Sequence, residues 1–491
     1  MSSLRGPLRL ALLAAAISAL YLYKLDGVGV LSADEPRYAA IGADMAHTGD
    51  LVTPKLWGSY WFEKPPLVYW MAATGTLAGL NLELAARLPV VLLSLAFLAV
   101  SFFLLRSEFG SEAAAVTTFL LATSAGWMAY SQLCLTDLPL AVFFSLSVFL
   151  SLPLLRTQPQ TASIPLRFVA LGLCLGLAVL AKALVPLALA LPFFWFLRRF
   201  RRYWWLAILS CTIIALPWYW AAYSRNGYPF IQELFIKHHL ERLYSPALQH
   251  VHSWYYYVPV LLIALFPWTP LLGLFAWKQP VWDERRRFLL VIFVFGFVIF
   301  SASLNKLPGY LLPLLPCVFT LIGAQFETRS ISELSRWWLL ASALLIGTIP
   351  MIAPILPESL NLGHFSSSGF HGLTLLDFLC VLIPILVALF TRPSWSGLLL
   401  VLCVVAGGIY MKYVAYPILD EQVSARGMWR RMKGVADRVC DGGTNRTWLF
   451  GLEFYRGSTF PVCGTGKFDF MLRSPVGTAS PQLVPTRLSE R

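Results

Sequence analysis

Long apolar blocks alternate with short polar segments along most of the chain. Blocks near twenty residues are long enough to cross about 30 Å of hydrocarbon as helices, so the pattern predicts an all-α integral membrane protein with about thirteen transmembrane helices. The predicted spans are 9–25, 84–105, 112–131, 137–155, 168–181, 183–197, 203–222, 256–277, 288–304, 309–325, 338–356, 374–391 and 396–415.

The composition agrees with this class. The chain is 58% hydrophobic and 13% charged, whereas soluble domains carry roughly 25% charged residues. Its net charge is +13, but many cations fall in alternate short loops, which predicts orientation rather than nucleic-acid binding. We therefore expect a multi-pass membrane protein with a cytoplasmic N-terminus and all the long, chemically varied loops on the opposite face.

The first of these long loops, residues 26–83, holds two acid–base clusters. Helical spacing after Asp34 and the paired prolines at Pro65 predict two short helices lying along the membrane interface. Surrounding tryptophan and tyrosine side chains suit an aromatic belt at the headgroup layer. The membrane domain, 1–415, is thus expected to hold this loop at one surface.

A polar tail follows the last span. We predict that residues 416–491 form a small extracytoplasmic domain with a disordered end. Six of the eight cysteines fall in or beside apolar spans, where cysteine behaves as a small hydrophobe. Cys440 and Cys463 lie in the tail, where an extracytoplasmic location would favour a disulfide; two free thiols are the alternative.

The acids of the first loop allow two interpretations. Asp34 and Glu35 could simply cap a helix N-terminus. Alternatively, one carboxylate acts on a substrate that arrives from the bilayer, with Arg37 offsetting the second charge. The sequence does not separate these possibilities.

Several other charged groups sit at or near the membrane. Lys64 could snorkel to lipid phosphate or hold a specific phosphate. Asp137 and Lys182 border or interrupt predicted spans, where ionisable groups are costly and usually functional. Lys306 and Tyr310 add a cation and a phenol on the same face.

Four of the seven histidines lie in the loop 223–255. Histidines with a carboxylate can bind Zn, Mg or Mn ions, and Glu63 with a histidine of this loop is the best candidate set. No close-spaced metal motif occurs, so solvent-facing or capping histidines are favoured. No organic cofactor is predicted.

Five segments in order carry a family resemblance: Asp34-Glu35-Pro36-Arg37-Tyr38, Phe62-Glu63-Lys64-Pro65-Pro66, Thr136-Asp137, Lys182 and Lys306-Leu307-Pro308-Gly309-Tyr310. Together they resemble the signatures of the bacterial protein-mannosyltransferase-like superfamily, within the glycosyltransferase C fold, and especially the lipid A aminoarabinose transferase family. One departure is Gly309, where relatives often carry a bulkier residue.

The resemblance implies a membrane glycosyltransferase, either a hexosyl- or a pentosyltransferase, that moves a sugar from a polyprenyl-phosphate donor to lipid A or another envelope acceptor. By position, Asp34 and Asp137 match catalytic acids, and Arg37, Lys64, Lys306 and Tyr310 match groups near the donor phosphate. Glu63 matches an acid linked to metal binding, with His239 as its expected partner. Glu35 and Lys182 complete the candidate site.

Two other classes remain open. A transporter or flippase of polyprenyl-linked sugars would need charges along a path to the inner face, where acids other than Asp283 and Glu284 are scarce. A non-catalytic scaffold that binds partners through its tail would leave Asp34, Glu63 and Asp137 without a role.

Overall fold

The computed structural model describes residues 5–158, 163–240, 252–274, 282–327, 336–362, 375–474 and 480–486. Among these residues, six helices are long and apolar enough to cross a membrane, or seven if one bent pair counts as a single span. The chain is therefore a polytopic, mainly helical membrane protein, and the predicted fold class is confirmed.

The α-helices of the described residues pack in one large apolar core and several smaller clusters. They are α1 Arg5–Leu22, α2 Asp34–Thr48, α3 Leu67–Leu77, α4 Leu82–Ala122, α5 Ala125–Tyr130, α6 Asp137–Ser151, α7 Ile164–Lys182, α8 Val185–Leu189, α9 Leu191–Phe196, α10 Trp204–Asn226, α11 Tyr228–Ile231, α12 Tyr257–Leu265, α13 Glu284–Ala302, α14 Leu315–Gly323, α15 Arg336–Gly347, α16 Ile349–Leu362, α17 Leu375–Phe390, α18 Pro393–Gln422, α19 Ala425–Met432 and α20 Arg446–Arg456. Short 3-10 helices connect several of them, including Arg198–Tyr203, Trp254–Tyr256 and Pro308–Leu314.

Every predicted span overlaps a helical segment, but not every segment is a long single helix. The predicted spans 84–105 and 112–131 fall on α4 and α5, and α4 is interrupted at Gly110, whose φ of 84° is left-handed. The predicted span 183–197 falls on two short helices, α8 and α9. The count of thirteen crossings stays a prediction.

The first long loop folds as expected into two helices, α2 and α3, which are joined by a small hairpin of strands β1 Lys55–Leu56 and β2 Ser59–Tyr60. Helix α2 ends at Gly49, which adopts φ 73° as a left-handed C-cap. A side chain at Gly42 would collide with Ala72 and the backbone of Tyr69, so the two helices pack closely. This rigid pair carries the first-loop acids and bases.

The tail differs from the expected boundary because α18 continues to Gln422, seven residues beyond position 415. After it come α19, α20 and a three-stranded sheet in the order β3 Val439–Asp441, β4 Phe470–Arg473 and β5 Gln482–Pro485. Strands β3 and β4 pair in parallel, and β4 and β5 pair antiparallel. The predicted disulfide between Cys440 and Cys463 is present, and it joins the sheet to the segment after α20.

Candidate active site in the first loop

Two acids and two bases of the first loop meet at the start of α2. Arg37 donates to a carboxylate oxygen of Asp34 and, over 2.6 Å, to Oε2 of Glu63. Lys64 Nζ donates to Oε1 of Glu63 over 3.0 Å. Arg37, Glu63 and Lys64 are buried, whereas the Asp34 side chain remains 38% exposed. Asp34 is thus the member of the cluster that an incoming molecule can reach.

The local sequence explains this meeting. Asp34 and Arg37 are three residues apart in the first turns of α2, a spacing that places both side chains on one face. Glu63 and Lys64 stand just before Pro65 and Pro66, whose rings restrict the backbone ahead of α3. Arg37 Nε also donates to the carbonyl oxygen of Ala33 over 2.8 Å, which fixes the guanidinium between the two carboxylates.

Glu35 points away from this cluster and is fully buried. Its carboxylate accepts hydrogen bonds from Arg87 Nε at 2.7 Å and Arg87 Nη2 at 2.9 Å, and from the backbone N–H of Leu31 at 2.7 Å. The backbone N–H of Cys134 donates to it as well. Glu35 therefore ties α2 to α4, while its neighbour Asp34 faces outward.

The protonation states in the cluster follow from burial and neighbouring charge. Burial alone would lower the pKa of Arg37, but the carboxylates of Glu63 and Asp34 outweigh it and raise the pKa above its ordinary value. Burial, and then the same two carboxylates, raise the pKa of Tyr38. Arg37 thus stays charged and Tyr38 stays neutral at physiological pH.

A second ion pair lies at the ends of α6 and α7. Lys182 Nζ is 2.6 Å from Oδ1 of Asp137, and it stands 4.5 Å from the centre of the Tyr310 ring. A Cβ at Gly309 would lie within 2.8 Å of Asp137 and 2.7 Å of the Tyr130 ring. The absence of a side chain at Gly309 therefore lets the 3-10 helix before α14 approach Asp137 closely.

Tyr130 connects the two ion-pair groups. Its phenol interacts electrostatically with Asp137, Asp34 and Tyr310. The motifs of the first loop, of α6 and of the segment before α14 thus converge on one region. The ammonium of Lys306 is buried and donates to the carbonyl oxygens of His252, at 3.1 Å, and Ser303, and its role at the donor phosphate stays a prediction.

The tail also reaches the first-loop cluster. The guanidinium carbon of Arg37 is 5.1 Å from the ring centres of both Trp61 and Phe450. Phe450, in α20, also stacks on Trp57 with the ring centres 6.0 Å apart. An aromatic side chain from the tail therefore covers the buried cation of the first loop.

A polar network holds the tail in this position. Glu83 Oε1 accepts from Arg426 Nη1 at 3.0 Å and from the hydroxyl of Tyr455 at 2.7 Å. Asp420 accepts from Arg426 Nε at 2.8 Å and from the backbone N–H of Gly29, also at 2.8 Å. These hydrogen bonds join the tail to the segment before α2 and to the start of α4.

The predicted metal set is not assembled by the residues that the structure describes. Within them, no group of three His, Cys, Asp or Glu side chains is placed to hold an ion. Glu63 lies between Arg37 and Lys64, and the side chain of its expected partner His239 lies outside the described residues. The metal stays a prediction, and no step below uses it.

The structure brings together most of the residues singled out from sequence. Asp34, Arg37, Glu63 and Lys64 form one group, and Asp137, Lys182 and Tyr310 form the second. Their roles stay predictions. Sequence reasoning missed a further set that anchors or covers these groups: Arg87, Tyr130, Glu83, Arg426 and Phe450. The signal available for Arg87 was a charge inside an apolar span, which usually marks a functional or structural partner.

Comparisons with known proteins find similarity to several transferases. The family model of dolichyl-phosphate-mannose-protein mannosyltransferases matches residues 8–227. An undecaprenyl phosphate-alpha-4-amino-4-deoxy-L-arabinose arabinosyl transferase of Pseudomonas aeruginosa is 32% identical over 335 residues, which are 65% of this chain and 60% of that protein. A transferase of the same name from Pseudomonas fluorescens is 32% identical over 363 residues, 70% of this chain and 61% of that protein. The chain thus spans about 60% of the length of these curated relatives.

Solved structures extend the similarity over nearly the whole chain. The crystal structure of ArnT from Cupriavidus metallidurans bound to undecaprenyl phosphate matches with a TM-score of 0.75 and 24% identity, covering 95% of this chain and 93% of that one. The apo structure of that protein matches with a TM-score of 0.73 and 22% identity, covering 96% and 94%. These findings show that the chain has the fold of this transferase and that its sequence is similar to the dolichyl-phosphate-mannose-protein mannosyltransferase family over residues 8–227.

Proposed function

We propose that the chain is a membrane glycosyltransferase that moves a sugar from a polyprenyl-phosphate donor to a cell-envelope acceptor. The observation that carries the proposal is the exposed carboxylate of Asp34 beside two buried cations, Arg37 and Lys64. The curated relatives, whose name gives undecaprenyl phosphate as the carrier, support this donor class.

In the proposed reaction, the acceptor oxygen forms a bond to the anomeric carbon of the sugar. The bond between that carbon and the phosphate oxygen breaks, and polyprenyl phosphate leaves with the electron pair. Arg37 and Lys64 stabilise the negative charge that develops on the phosphate, as fixed charges in a water-poor site do. Direct displacement of this kind inverts the configuration at the anomeric carbon.

Asp34 takes the proton when the acceptor is a hydroxyl group, because it is the accessible base of the cluster. When the acceptor is a phosphate that is already ionised, Asp34 only positions it. Glu63 then serves to hold Arg37 and Lys64 at a fixed separation. Asp137, paired with Lys182, is the second acid of the site and contacts the segment that carries Tyr310.

For the sugar and acceptor we propose a pentose, 4-amino-4-deoxy-L-arabinose, and a lipid A-like molecule, following the name of the relatives. For the orientation we propose the bacterial inner membrane with a cytoplasmic N-terminus and with the site and tail in the periplasm. Support comes from the basic loops at the opposite end of the bundle and from the disulfide in the tail.

The test is a transfer assay with the purified full chain in detergent. Extracted polyprenyl-phosphate sugars serve as donors and lipid A as acceptor, and half the samples contain a chelator. Wild-type protein and Asp44→Asn, an acid of α2 outside the cluster, should transfer sugar, whereas Asp34→Asn and Lys64→Ala should not. If wild-type protein loses transfer activity only in the samples that contain chelator, the reaction requires a metal ion.

The competing class is a transporter of polyprenyl-linked sugars. Equal activity of wild type and both cluster variants would remove the site assignment. If wild-type protein moves labelled donor across vesicle membranes and transfers no sugar to the acceptor, the protein is a transporter rather than a glycosyltransferase.

A further inference from the structure

An apolar groove opens between four helices of the bundle, and none of the candidate site residues lines it. It is lined by α7, α8, α9 and α10, including Phe168, Leu175, Leu191, Phe194 and Ile208, and encloses about 410 Å³. This volume falls within the range of about 300–1,000 Å³ typical of ligand pockets. Its surface is almost entirely hydrocarbon, so the matching ligand part is a hydrocarbon chain.

Close helix packing makes the back wall of the groove rigid. A side chain at Gly172 would collide with Ser210 and Ala207 of α10, and one at Gly176 would meet Cys211 and Ile214. The two helices therefore touch along their backbones on one side while their large side chains diverge on the other. The groove is a built feature of α7 and α10 rather than a gap between loosely packed side chains.

One end of the groove, at Phe168, points away from the candidate active site. Helix α7 ends at Lys182, which pairs with Asp137, and Phe168 precedes Lys182 by fourteen residues. At the rise of an α-helix this separation is about 21 Å along the axis. The end of the groove at Phe168 is therefore well separated from the ion pairs along the bundle axis.

Four arginines stand at the far end of the groove. The 3-10 helix Arg198–Tyr203 follows α9 directly and closes this end, because Phe200 and Tyr203 both pack on Phe168. Arg198, Arg199, Arg201 and Arg202 are all exposed there. Arg199 donates to the carbonyl oxygens of Leu154 and Arg156, and Arg198 lies over the Trp195 ring.

The charge of these four arginines has no acidic partner among the residues that the structure describes. Within the part of the chain that the structure describes, no carboxylate forms an ion pair with any of the four arginines. The carboxylate of Glu108 forms ion pairs with Arg156 and Arg285 instead. A hydrocarbon groove that ends at such a cluster fits a molecule with an anionic head and a hydrocarbon chain.

We propose that this groove and the arginine cluster form a binding site for an anionic phospholipid of the leaflet opposite the active site. The acyl chain lies between α7, α9 and α10, and the phosphate contacts Arg201 and Arg202 at the membrane surface. Basic pockets between helices on the cytoplasmic side of membrane proteins bind anionic head groups in this way. A polyprenyl phosphate is disfavoured as occupant, because its phosphate would then lie about 21 Å or more from Lys182.

The test measures lipid binding to the delipidated full chain by native mass spectrometry. The probes are palmitoyl-oleoyl phosphatidylglycerol and palmitoyl-oleoyl phosphatidylcholine, which share their chains and differ in head-group charge. Wild type should bind the anionic lipid at least about tenfold more tightly, because each arginine near the head group adds to the attraction.

Two variants and their matched controls locate the site. Arg201→Gln with Arg202→Gln should weaken phosphatidylglycerol binding about tenfold or more, whereas Arg106→Gln with Arg287→Gln removes two exposed arginines elsewhere and should leave it unchanged. Leu191→Trp fills the lip of the groove and should lower binding of the same lipid. Leu166→Trp, at an exposed position of α7 outside the groove, should not.

Three results would overturn the proposal. Equal binding of the two lipids would show that the arginines do not select the head group. Equal loss in the test and control arginine variants would show a diffuse surface attraction only. Displacement of phosphatidylglycerol by an equal concentration of undecaprenyl phosphate would assign the groove to the polyprenyl chain instead. All of these readouts are independent of transfer activity.

Discussion

Replacing Arg87 with Met should destabilise the protein strongly, although Arg87 touches neither of the two ion-pair groups of the site. Its side chain is buried in α4 and donates to both oxygens of Glu35. It also donates to three backbone carbonyls of the segment before α2, those of Leu25 at 3.0 Å, Val28 at 2.6 Å and Gly29 at 2.9 Å. One side chain thus supports the whole entry to the first loop.

The size of the effect follows from what the substitution leaves behind. Arg87→Met strands a carboxylate that has no exposed surface, and breaking a buried ion pair in this way costs about 3–5 kcal/mol. Adding Glu35→Gln removes the stranded charge while keeping the shape of the side chain. The double variant should therefore recover part of the loss, with a coupling energy of about 1–3 kcal/mol.

The assay is thermal unfolding in one detergent for wild type, both single variants and the double variant. Transfer is then measured at a temperature at which all four are folded. If Glu35 only positions α2, the double variant should transfer sugar at a rate close to that of wild type. A double variant that is stable but inactive would refute this reasoning, because Glu35 would then act on the substrate.

Three further predictions concern the site and the tail. Phe450→Ala should lower kcat/KM about five- to thirtyfold, because the ring over Arg37 is lost. The control Val462→Ala changes an exposed residue of the tail and should leave kcat/KM unchanged. Equal effects of the two substitutions would exclude a specific contact of Phe450 with Arg37. Asp137→Asn should leave Lys182 without its anionic partner and reduce transfer while folding is retained, and a full rate at saturating donor would remove Asp137 from the site. Burial, and then the charge of Asp441, raise the pKa of the Glu453 carboxyl to about 7. The folded tail therefore binds the carboxyl proton more tightly than the unfolded chain does. The stability of the tail should fall as pH rises from about 4.5 to about 7. Hydrogen exchange of residues 425–473 should show that loss in wild type and not in Glu453→Gln, and an identical pH dependence in both would contradict it.

The sequence predicted the elements that depend on local pattern. Apolar blocks near twenty residues long indicated the helices, and the helical spacing after Asp34 indicated α2. The disulfide of the tail was predicted from the position of its cysteines alone. Such features depend on short-range information, because neighbouring residues determine the helical period and the type of turn.

The sequence could not predict the contacts that join distant segments. Asp34 and Glu35 are adjacent, but one faces the site and the other faces Arg87, and only the packing of α2 on α4 decides which. Phe450 reaches Arg37 across more than four hundred residues of chain. The ammonium of Lys306 donates to the backbone carbonyls of His252 and Ser303, and no pattern in the sequence indicated these partners. Partner choice of this kind depends on tertiary packing, which no local pattern records.

The central claim is that Asp34 carries out the transfer that the surrounding cations support. The most direct measurement compares the transfer rates of wild type and Asp34→Asn at saturating donor and acceptor, together with undecaprenyl phosphate binding by each protein. The account predicts a rate lower by about a hundredfold or more in the variant, with binding of the carrier retained. A rate within about threefold of wild type, given normal binding, would contradict the account and move the chemistry away from the first loop.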